Sequence, residues 1–310
     1  NLFIQSRGHH EAAWNHPDAS PMGLMDASYY QGIAQRAEAG LFDSIFFADI
    51  LAATDDAALS GKVWLEPITL LAAIAAVTER IGLIATASTT YSLPFTLARQ
   101  FSSVDHISNG RFVLNLVCGW NRPEFDMFGL DMAGHAERYA YATEWLELVR
   151  RLWTEAHAFD FEGQFFSGKA MCSQPKPISS PVPVMNAGSS ATGQAFSAAH
   201  CDMNFVMLRQ KDEASDRQQI AHLKSMAAVA GRQSQCWIHV YVVCRPTEHE
   251  ARDYLDAYVR EYGDWETAAR MVKLFGLESD TLDAAVLEEF KFHFIAGHGG
   301  YPLIGTPDQV

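Results

Sequence analysis

The sequence predicts an α/β fold, a (β/α)8 or TIM barrel in which parallel strands alternate with helices. Short runs rich in β-branched and aromatic residues alternate with longer segments of helical period, a pattern typical of βα units around a parallel sheet. The chain has 310 residues, a length that one barrel domain accommodates. Hydrophobic residues make up 48% of the chain and charged residues 19%, which is the composition of a folded protein.

Seven strands are predicted, each a short run bounded by polar residues, glycine or proline. In chain order they are Leu2–Gln5, Ser44–Ala48, Ile81–Thr86, Phe112–Val117, Val182–Asn186, Asp202–Val206 and Cys236–Cys244. Thr306 and Pro307 then form a cap and a first-turn proline, so a helix is predicted to begin where the sequence ends. Because seven parallel strands would leave a barrel open, we expect the natural chain to continue and to supply the eighth strand.

Capping signals mark the helices between these strands. Asp26 is a predicted N-cap, and Gly40 is expected to end the same helix in the left-handed conformation. Pro67 has the position of a first-turn proline, and Thr247 with Glu250 forms a capping box. A helix from about 137 to 153 is indicated by apolar residues at helical spacing, namely Ala142, Trp145, Leu146, Val149, Leu152 and Trp153.

Two segments interrupt the alternation of strands and helices. Ala156–Pro181 is rich in proline, serine and glycine, and Gly263–Tyr301 has helical character but adds no predicted strand. We interpret both as insertions, near 156–181 and 263–301, in a single barrel domain that spans residues 1–310.

Charge and cysteine content exclude several classes of partner. The net charge is −14, from 37 acidic and 23 basic residues, and it disfavours nucleic acid and anionic membranes because no basic stripe offsets it. No apolar run approaches the roughly 18 residues of a membrane span. The five cysteines are widely spaced without a CxxC motif, which predicts reduced thiols and a cytoplasmic location.

Two features at the predicted strand ends, where a barrel carries its chemistry, are candidates for function. The turn Asn186–Gly193 links an apolar strand to a helix, and its backbone N–H groups at a helix N-terminus suit a phosphate. The structural alternative is an ordinary helix cap. Asn115 lies inside the apolar run Phe112–Val117, so its amide is expected to be buried and hydrogen-bonded, either in a site or in the core.

Metal binding and nucleophilic hydrolysis are both disfavoured. His9 and His10 lie close to His16, but adjacent histidines do not easily share one ion and no further ligand pair follows, so no metal is predicted. The histidines are instead candidate substrate-facing acid/base or hydrogen-bonding groups, since histidine titrates near neutral pH, and the structural alternative is an ordinary pair of loop histidines. Ser102, Asp105 and His106 fall on one amphipathic helix without a G-x-S-x-G elbow, which argues against a hydrolase triad.

Motifs along nearly the whole chain resemble the bacterial-luciferase-like flavin-dependent monooxygenases. The resemblance is to the branch that contains nitrilotriacetate monooxygenase, dibenzothiophene sulfone monooxygenase and pyrimidine oxygenase. The residues that carry it are 8–19, Asp49 after Phe46 and Phe47, 85–89, 108–112, 115–120, 137–139, 187–190 and 305–307.

The resemblance implies a barrel of the bacterial luciferase type and a set of flavin-binding residues. Thr86 and Asn115 would approach the reactive edge of the isoalloxazine ring, and Asp49 would contact the ring region. His9 or His10 would orient the substrate or transfer a proton. Residues implied to hold the ribityl chain and phosphate are Glu124, Arg138, Tyr139, Ser189 and Ser190.

The resemblance also implies cofactor and partners. Reduced FMN, supplied by a separate NAD(P)H-dependent flavin reductase, and O2 would oxidise a small heteroatom-containing compound, with cleavage of a C–N or C–S bond as one outcome. A homodimer or homotetramer is expected. The N-terminal motif is more similar to the nitrilotriacetate and sulfone enzymes and the segment 115–190 to the pyrimidine enzyme, so the substrate stays open. The alternatives are an F420-dependent hydride-transfer enzyme and a non-catalytic flavin-binding relative.

Overall fold

Strands and helices alternate along the part of the chain that the structure describes. The computed structural model describes residues 1–6, 8, 10–12, 14–19, 23–52, 65–208, 212–274 and 284–310. The chain divides into two compact units: 1–4, 23–205 and 222–236 form the first, and 5–22, 206–221 and 237–310 form the second. The interpretation of the chain as one barrel domain with two insertions stays a prediction.

The strands and helices have the following bounds. The strands are β1 Leu2–Ile4, β2 Ser44–Phe47, β3 Gly82–Ser88, β4 Phe112–Val117, β5 Phe159–Glu162, β6 Ser167–Met171, β7 Val184–Asn186, β8 Met203–Val206, β9 Gln235–Ile238, β10 Val240–Cys244 and β11 Tyr301–Gly305. The described helices are α1 Ala27–Ala39, α2 Pro67–Ala75, α3 Pro94–Ser108, α4 Arg122–Met127, α5 His135–Thr154, α6 Ala191–His200, α7 Glu213–Val229, α8 Glu248–Tyr262, α9 Trp265–Leu274 and α10 Ala284–Gly297. No helix in the described ranges has both the length and the hydropathy to cross a membrane.

A seven-stranded sheet organises the first unit, in the order β1-β2-β3-β4-β7-β8-β9. The pairs from β1 to β8 are parallel. Every residue of β2 is buried, as expected of a parallel strand that is covered on both faces. The predicted α/β class is confirmed, and the parallel arrangement brings the carboxyl ends of these strands to one edge.

The predicted strand Cys236–Cys244 was wrong as one element, because it is two strands separated at His239. The backbone N–H of His239 donates to Val206, and its carbonyl accepts from Tyr301, so the chain changes neighbours at this residue. The strand β10 then pairs in parallel with β11.

The strands β5, β6 and β11 were absent from the prediction, so the predicted total of seven strands was too low for the described chain. Pro302 within Tyr301–Gly305 argues against a strand in sequence terms, since proline cannot donate to a ladder. It is accommodated here because β10 is the neighbour of β11 in a two-stranded sheet. A further strand beyond Val310 stays a prediction.

The predicted caps are present, with one correction. Asp26 accepts the Ser28 N–H at 2.9 Å, and Thr247 with Glu250 forms the reciprocal capping box. Gly40 is not left-handed: its φ is −79°, and the positive φ of 62° falls on the next residue, Leu41. The turn completes at Leu41 because the N–H groups that close the helix are donated by residues 40–42.

The helix α5 packs inside the first unit. All six apolar residues predicted to face inward are buried. The indole Nε1 of Trp145 donates to the Ser92 carbonyl at 2.7 Å, and that of Trp153 donates to the Ala98 carbonyl at 3.0 Å. Both aromatic donors are therefore satisfied within the core, as buried polar groups require.

Arg111 joins α2, β3 and the end of α3 through its guanidinium, which donates to Ser108, Thr78, Ile81 and Ala75. Arg111→Met is expected to lower the free energy of unfolding by about 2–4 kcal/mol, because several buried carbonyls lose a charged donor. Urea denaturation measures this loss. The matched control, Arg99→Met in the exposed face of α3, should change stability by less than about 0.5 kcal/mol. Equal stability of both variants would contradict the assignment.

Around α8 and α10, the second unit has its own core. Val259 and Ile295 are fully buried, and the Tyr258 hydroxyl donates to the Ala296 carbonyl at 2.6 Å. His239, at the junction of β9 and β10, is 7% exposed, and burial lowers its pKa to about 4.

The lowered pKa of His239 predicts acid sensitivity. In the unfolded chain this histidine has a pKa near 6.5, whereas in the folded protein it becomes protonated only near pH 4. Between these pH values the unfolded form binds more protons, so the free energy of unfolding falls as the pH decreases. The expected contribution is about 3 kcal/mol. His239→Asn should flatten this part of the profile in denaturant titrations between pH 7 and 4. An unchanged slope would show that His239 does not contribute to it.

Candidate active site

The register between β3 and β4 brings together two residues that the sequence singled out. Thr86 is directly opposite Asn115. Asn115 Nδ2 donates to Thr86 Oγ1 at 2.9 Å, and Thr86 Oγ1 donates to the Phe47 carbonyl at 2.8 Å. Both side chains are buried. A fixed hydrogen-bond chain therefore crosses three neighbouring strands.

A cavity of about 500 Å³ lies in the first unit at these strand ends. Three predicted cofactor-binding residues, Asp49, Thr86 and Glu124, line it, whereas Asn115 lies behind this lining and donates to Thr86. The volume is within the range of small-molecule sites, roughly 300–1,000 Å³. Other lining residues are Leu51, Glu66, Ser88, Tyr91, Leu97, Trp120 and Phe128.

Glu124 has a structural contact in addition to its position in the cavity. It lies in the first turn of α4 and is buried. Its Oε1 accepts the Leu51 N–H at 2.8 Å, and this hydrogen bond fixes the segment that follows β2. Because Asp49 is in that segment, Glu124 helps to position it.

The turn after β7 leads into the N-terminus of α6, and side chains within the turn accept hydrogen bonds from its backbone N–H groups. Asn186 Oδ1 accepts the Gly188 N–H at 2.9 Å, and Ser190 Oγ accepts the Gly193 N–H at 3.1 Å as the N-cap of α6. A Cβ at Gly188 would lie 2.6 Å from the Tyr139 hydroxyl, so only glycine permits this approach. Tyr139 therefore packs directly on the predicted phosphate turn.

His135, Arg138 and Tyr139 lie near the start of α5, and His135 and Tyr139 contact the same turn. Arg138 Nη1 donates to the Ala133 carbonyl at 2.5 Å, and its buried Nε has no hydrogen-bond partner among the described residues. His135 Nε2 lies 3.2 Å from Ser190 Oγ. Burial raises the pKa of Tyr139 to about 12, so its hydroxyl stays protonated and can donate. His135 was not predicted, although its place three residues before Arg138 on a helix puts both on one face.

Tyr91 lines the cavity and was also not predicted as a site residue. Its ring stacks on Phe128 at 4.5 Å. Burial and the Glu124 charge raise its pKa to about 12, while Arg138 opposes this rise, so both charges act on the one hydroxyl. That hydroxyl is buried without a partner among the described residues. The signal available in the sequence was its position in the strand-end segment 86–91.

The predicted histidines fall elsewhere. His9 lies outside the described residues. His10 belongs to the second unit, where its ring lies 5.4 Å from that of Tyr258, and burial, followed by the nearby His16, lowers its pKa to about 4. It is thus a neutral imidazole at pH 7. The roles assigned to both histidines stay predictions.

The three residues of the rejected hydrolase triad form hydrogen bonds that stabilise the fold. Ser102 Oγ donates to the Ala98 carbonyl, and Asp105 accepts both the N–H and the hydroxyl of Ser179 at 2.9 Å. His106 Nε2 contacts the Lys176 carbonyl. These bonds hold α3 to the segment that precedes β7.

The polar groups of the first unit suit a flavin mononucleotide. Asn115 Oδ1, the Tyr91 hydroxyl and Arg138 Nε are buried and unpartnered among the described residues, so donors and acceptors remain for a ligand. The capped N-terminus of α6 and the Arg138 cation suit a phosphate, and the adjoining cavity has room for a ring. Ser189 is exposed beside this N-terminus.

Comparison with known proteins identifies similar chains. The family model described as luciferase-like monooxygenase matches residues 4–310. The chain is 33% identical to nitrilotriacetate monooxygenase component A of Aminobacter aminovorans, over 93% of this chain and 70% of that protein. It is 35% identical to N-acetyl-S-(2-succino)cysteine monooxygenase of Bacillus subtilis (strain 168), over 74% of this chain but 57% of that protein.

Among solved structures, riboflavin lyase with modified FMN and the substrate riboflavin is similar over 100% of this chain and 81% of that one. The TM-score is 0.86 and the sequences are 25% identical. The predicted luciferase-type barrel fold is confirmed by this likeness and by the family match.

Proposed function

Because this chain belongs to the luciferase-like monooxygenase family, we propose that it is the oxygenase of a two-component system that uses reduced FMN and O2 on a small organic compound. The observation that carries the proposal is the buried Asn115–Thr86 pair at the strand-end edge, next to a cavity and a phosphate-type turn. Five free cysteines are in keeping with action in the cytoplasm.

We assign the phosphate end of FMN to the turn after β7 and to α5. Ser189 and Ser190 would bind phosphate oxygens through hydroxyl and backbone N–H groups, and Arg138 would supply the cation. Tyr139, kept protonated by burial, would donate a further hydrogen bond. Glu124 and Asp49 would contact the ribityl chain and ring from the cavity.

We assign the oxygen chemistry to the ends of β3 and β4. Reduced FMN, when bound, supplies the electrons that activate O2. Asn115 uses one amide N–H to hold Thr86, which leaves its second N–H and its Oδ1 for the cofactor and the developing charge. Since Thr86 is itself anchored to the Phe47 carbonyl, these groups need no rearrangement when the reaction starts.

The substrate class follows from the relatives. One is named for nitrilotriacetate and another for N-acetyl-S-(2-succino)cysteine, so we propose a compound in which carbon is bonded to nitrogen or sulfur, with cleavage of that bond. The name component A implies a second component, which supports an NAD(P)H-dependent flavin reductase as transient partner. A homodimer or homotetramer stays a prediction.

The test is anaerobic mixing of the protein with reduced FMN, followed by rapid exposure to O2 while the flavin spectrum is recorded. We expect reduced FMN to bind and to reoxidise with a slow phase that free reduced FMN lacks. Reoxidation at the free rate would overturn the proposal. Binding of reduced F420 in place of reduced FMN would favour the hydride-transfer alternative.

A further inference from the structure

The second unit contains a cavity of about 400 Å³, and among its described lining residues only His10 has a predicted role. Three tyrosines, Tyr241, Tyr254 and Tyr258, form much of its wall, and Arg245 and His10 contribute nitrogen groups. Aromatic walls favour a planar apolar body, and a few placed polar groups select its orientation. The volume suits a molecule of one or two rings.

Arg245 differs from the arginines of α8 in its partners. Arg252 and Arg260 on α8 each pair with a carboxylate one helical turn away. Arg245 stacks on Tyr254 at 3.7 Å and donates one N–H to the Cys244 carbonyl, and no carboxylate pairs with it among the residues the structure describes. An arginine has five N–H donors, so a fork of donors is left beside the cavity. A carboxylate is the group that matches such a fork.

His10 supplies a second polar contact in the same wall. Its Nδ1 is buried without a hydrogen-bond partner in the described part of the chain, and its ring packs against Tyr258. Because burial lowers the pKa of His10 to about 4, it is uncharged near pH 7. It therefore adds hydrogen-bonding capacity without a second positive charge.

The charge of the cavity suits a monoanion. Asp18 also lines it, but this side chain is 91% exposed and lies 3.9 Å from His16, so solvent screens its charge. Among the described lining residues, Arg245 is then the cation that a ligand meets. One cation beside a screened carboxylate matches a single carboxylate better than a phosphate dianion.

We propose that this cavity is a binding site for an aromatic carboxylate, with the ring between the tyrosines and the carboxylate on Arg245. All the described lining residues of this site belong to the second unit, and the proposal does not depend on the proposed function. It adds a ligand class that the family match by itself does not indicate.

The experiment titrates benzoate into the flavin-free full chain by isothermal calorimetry, with benzyl alcohol as the uncharged probe. Benzoate should bind saturably, and benzyl alcohol at least about tenfold more weakly. Arg245→Met should weaken benzoate binding about tenfold or more, because a charged hydrogen-bond pair is lost. Arg252→Met, whose arginine is already paired, is the matched control and should bind benzoate as the unmodified protein does.

Arg245→Lys covers the case in which Arg245→Met fails to fold. It keeps the cation but not the bidentate fork, so it should bind benzoate several-fold more weakly than the unmodified protein. Equal affinity in the folded Arg245 variants, or no benzoate binding at all, would overturn the proposal. Competition by saturating FMN would also overturn it, since benzoate would then occupy the flavin site. If FMN itself fails to bind, the benzoate result still stands.

Discussion

Replacing Asn115 with alanine is expected to lower product formation by about 100- to 1,000-fold. That is the usual effect of removing one preorganised donor from the site where charge develops. Asn115 is 3% exposed and hydrogen-bonded to Thr86, so the variant loses both the amide and its hydrogen bond to Thr86. Product formed per reduced flavin, with the substrate that a screen identifies, measures the effect. Thermal unfolding checks that the chain still folds.

Two changes at Thr86 are the controls for this result. Thr86→Ser keeps the hydroxyl that accepts from Asn115 and should retain most activity. Thr86→Val has the same shape without the hydroxyl, and its product formation should fall, as that of Asn115→Ala does. If Asn115→Ala turns over at the unmodified rate, the pair is a core contact and the oxygen chemistry lies elsewhere.

Combining Arg138→Ala with Ser190→Gly is expected to weaken binding of reduced FMN by about 3–6 kcal/mol, or about 100-fold to more than 10,000-fold. Each charged hydrogen bond to phosphate contributes roughly 1.5–3 kcal/mol. Glycine is used at position 190 because Ser190 caps α6, and glycine at an N-cap costs only a few tenths of a kcal/mol. Anaerobic titration of reduced FMN measures the dissociation constant.

The matched control for the double variant is Arg122→Ala. Arg122 is an exposed arginine that pairs with Asp126 on α4, and its loss should leave flavin affinity unchanged. If reduced FMN binds equally well to the double variant, the assignment of the phosphate site to α5 and the turn after β7 is wrong.

Local signals predicted most of the helices and several strands. The helix N-caps were predictable because a capping side chain accepts from N–H groups only two or three residues away. The sequence therefore contains the whole interaction at Asp26 and at the pair Thr247 and Glu250. The end of α1 was less predictable. A left-handed residue was expected at Gly40 and occurs at Leu41. Its position depends on the carbonyls of α1 to which the N–H groups of residues 40–42 donate.

The strands β10 and β11 show where such prediction ends. Nothing near Cys236–Cys244 marks the break at His239, because the break depends on hydrogen bonds to Val206 and Tyr301, both distant along the chain. Tyr301–Gly305 is a strand because β10 lies beside it, despite Pro302. Pairing between distant segments is not encoded in the periodicity of either one.

The sequence by itself determined the α/β class, the N-terminal helix caps, the buried Asn115 and, through its resemblance to a family, a set of flavin-binding candidates. Only the tertiary structure decided which of them meet. Thr86 contacts Asn115 through the β3–β4 register, and the charges of Glu124 and Arg138 act in opposite directions on the pKa of Tyr91. The cavity of Arg245 is likewise formed by segments far apart in sequence. The physical reason is that hydrogen bonds, charges and cavities act through space over a few ångströms, whereas periodicity and capping act along the chain.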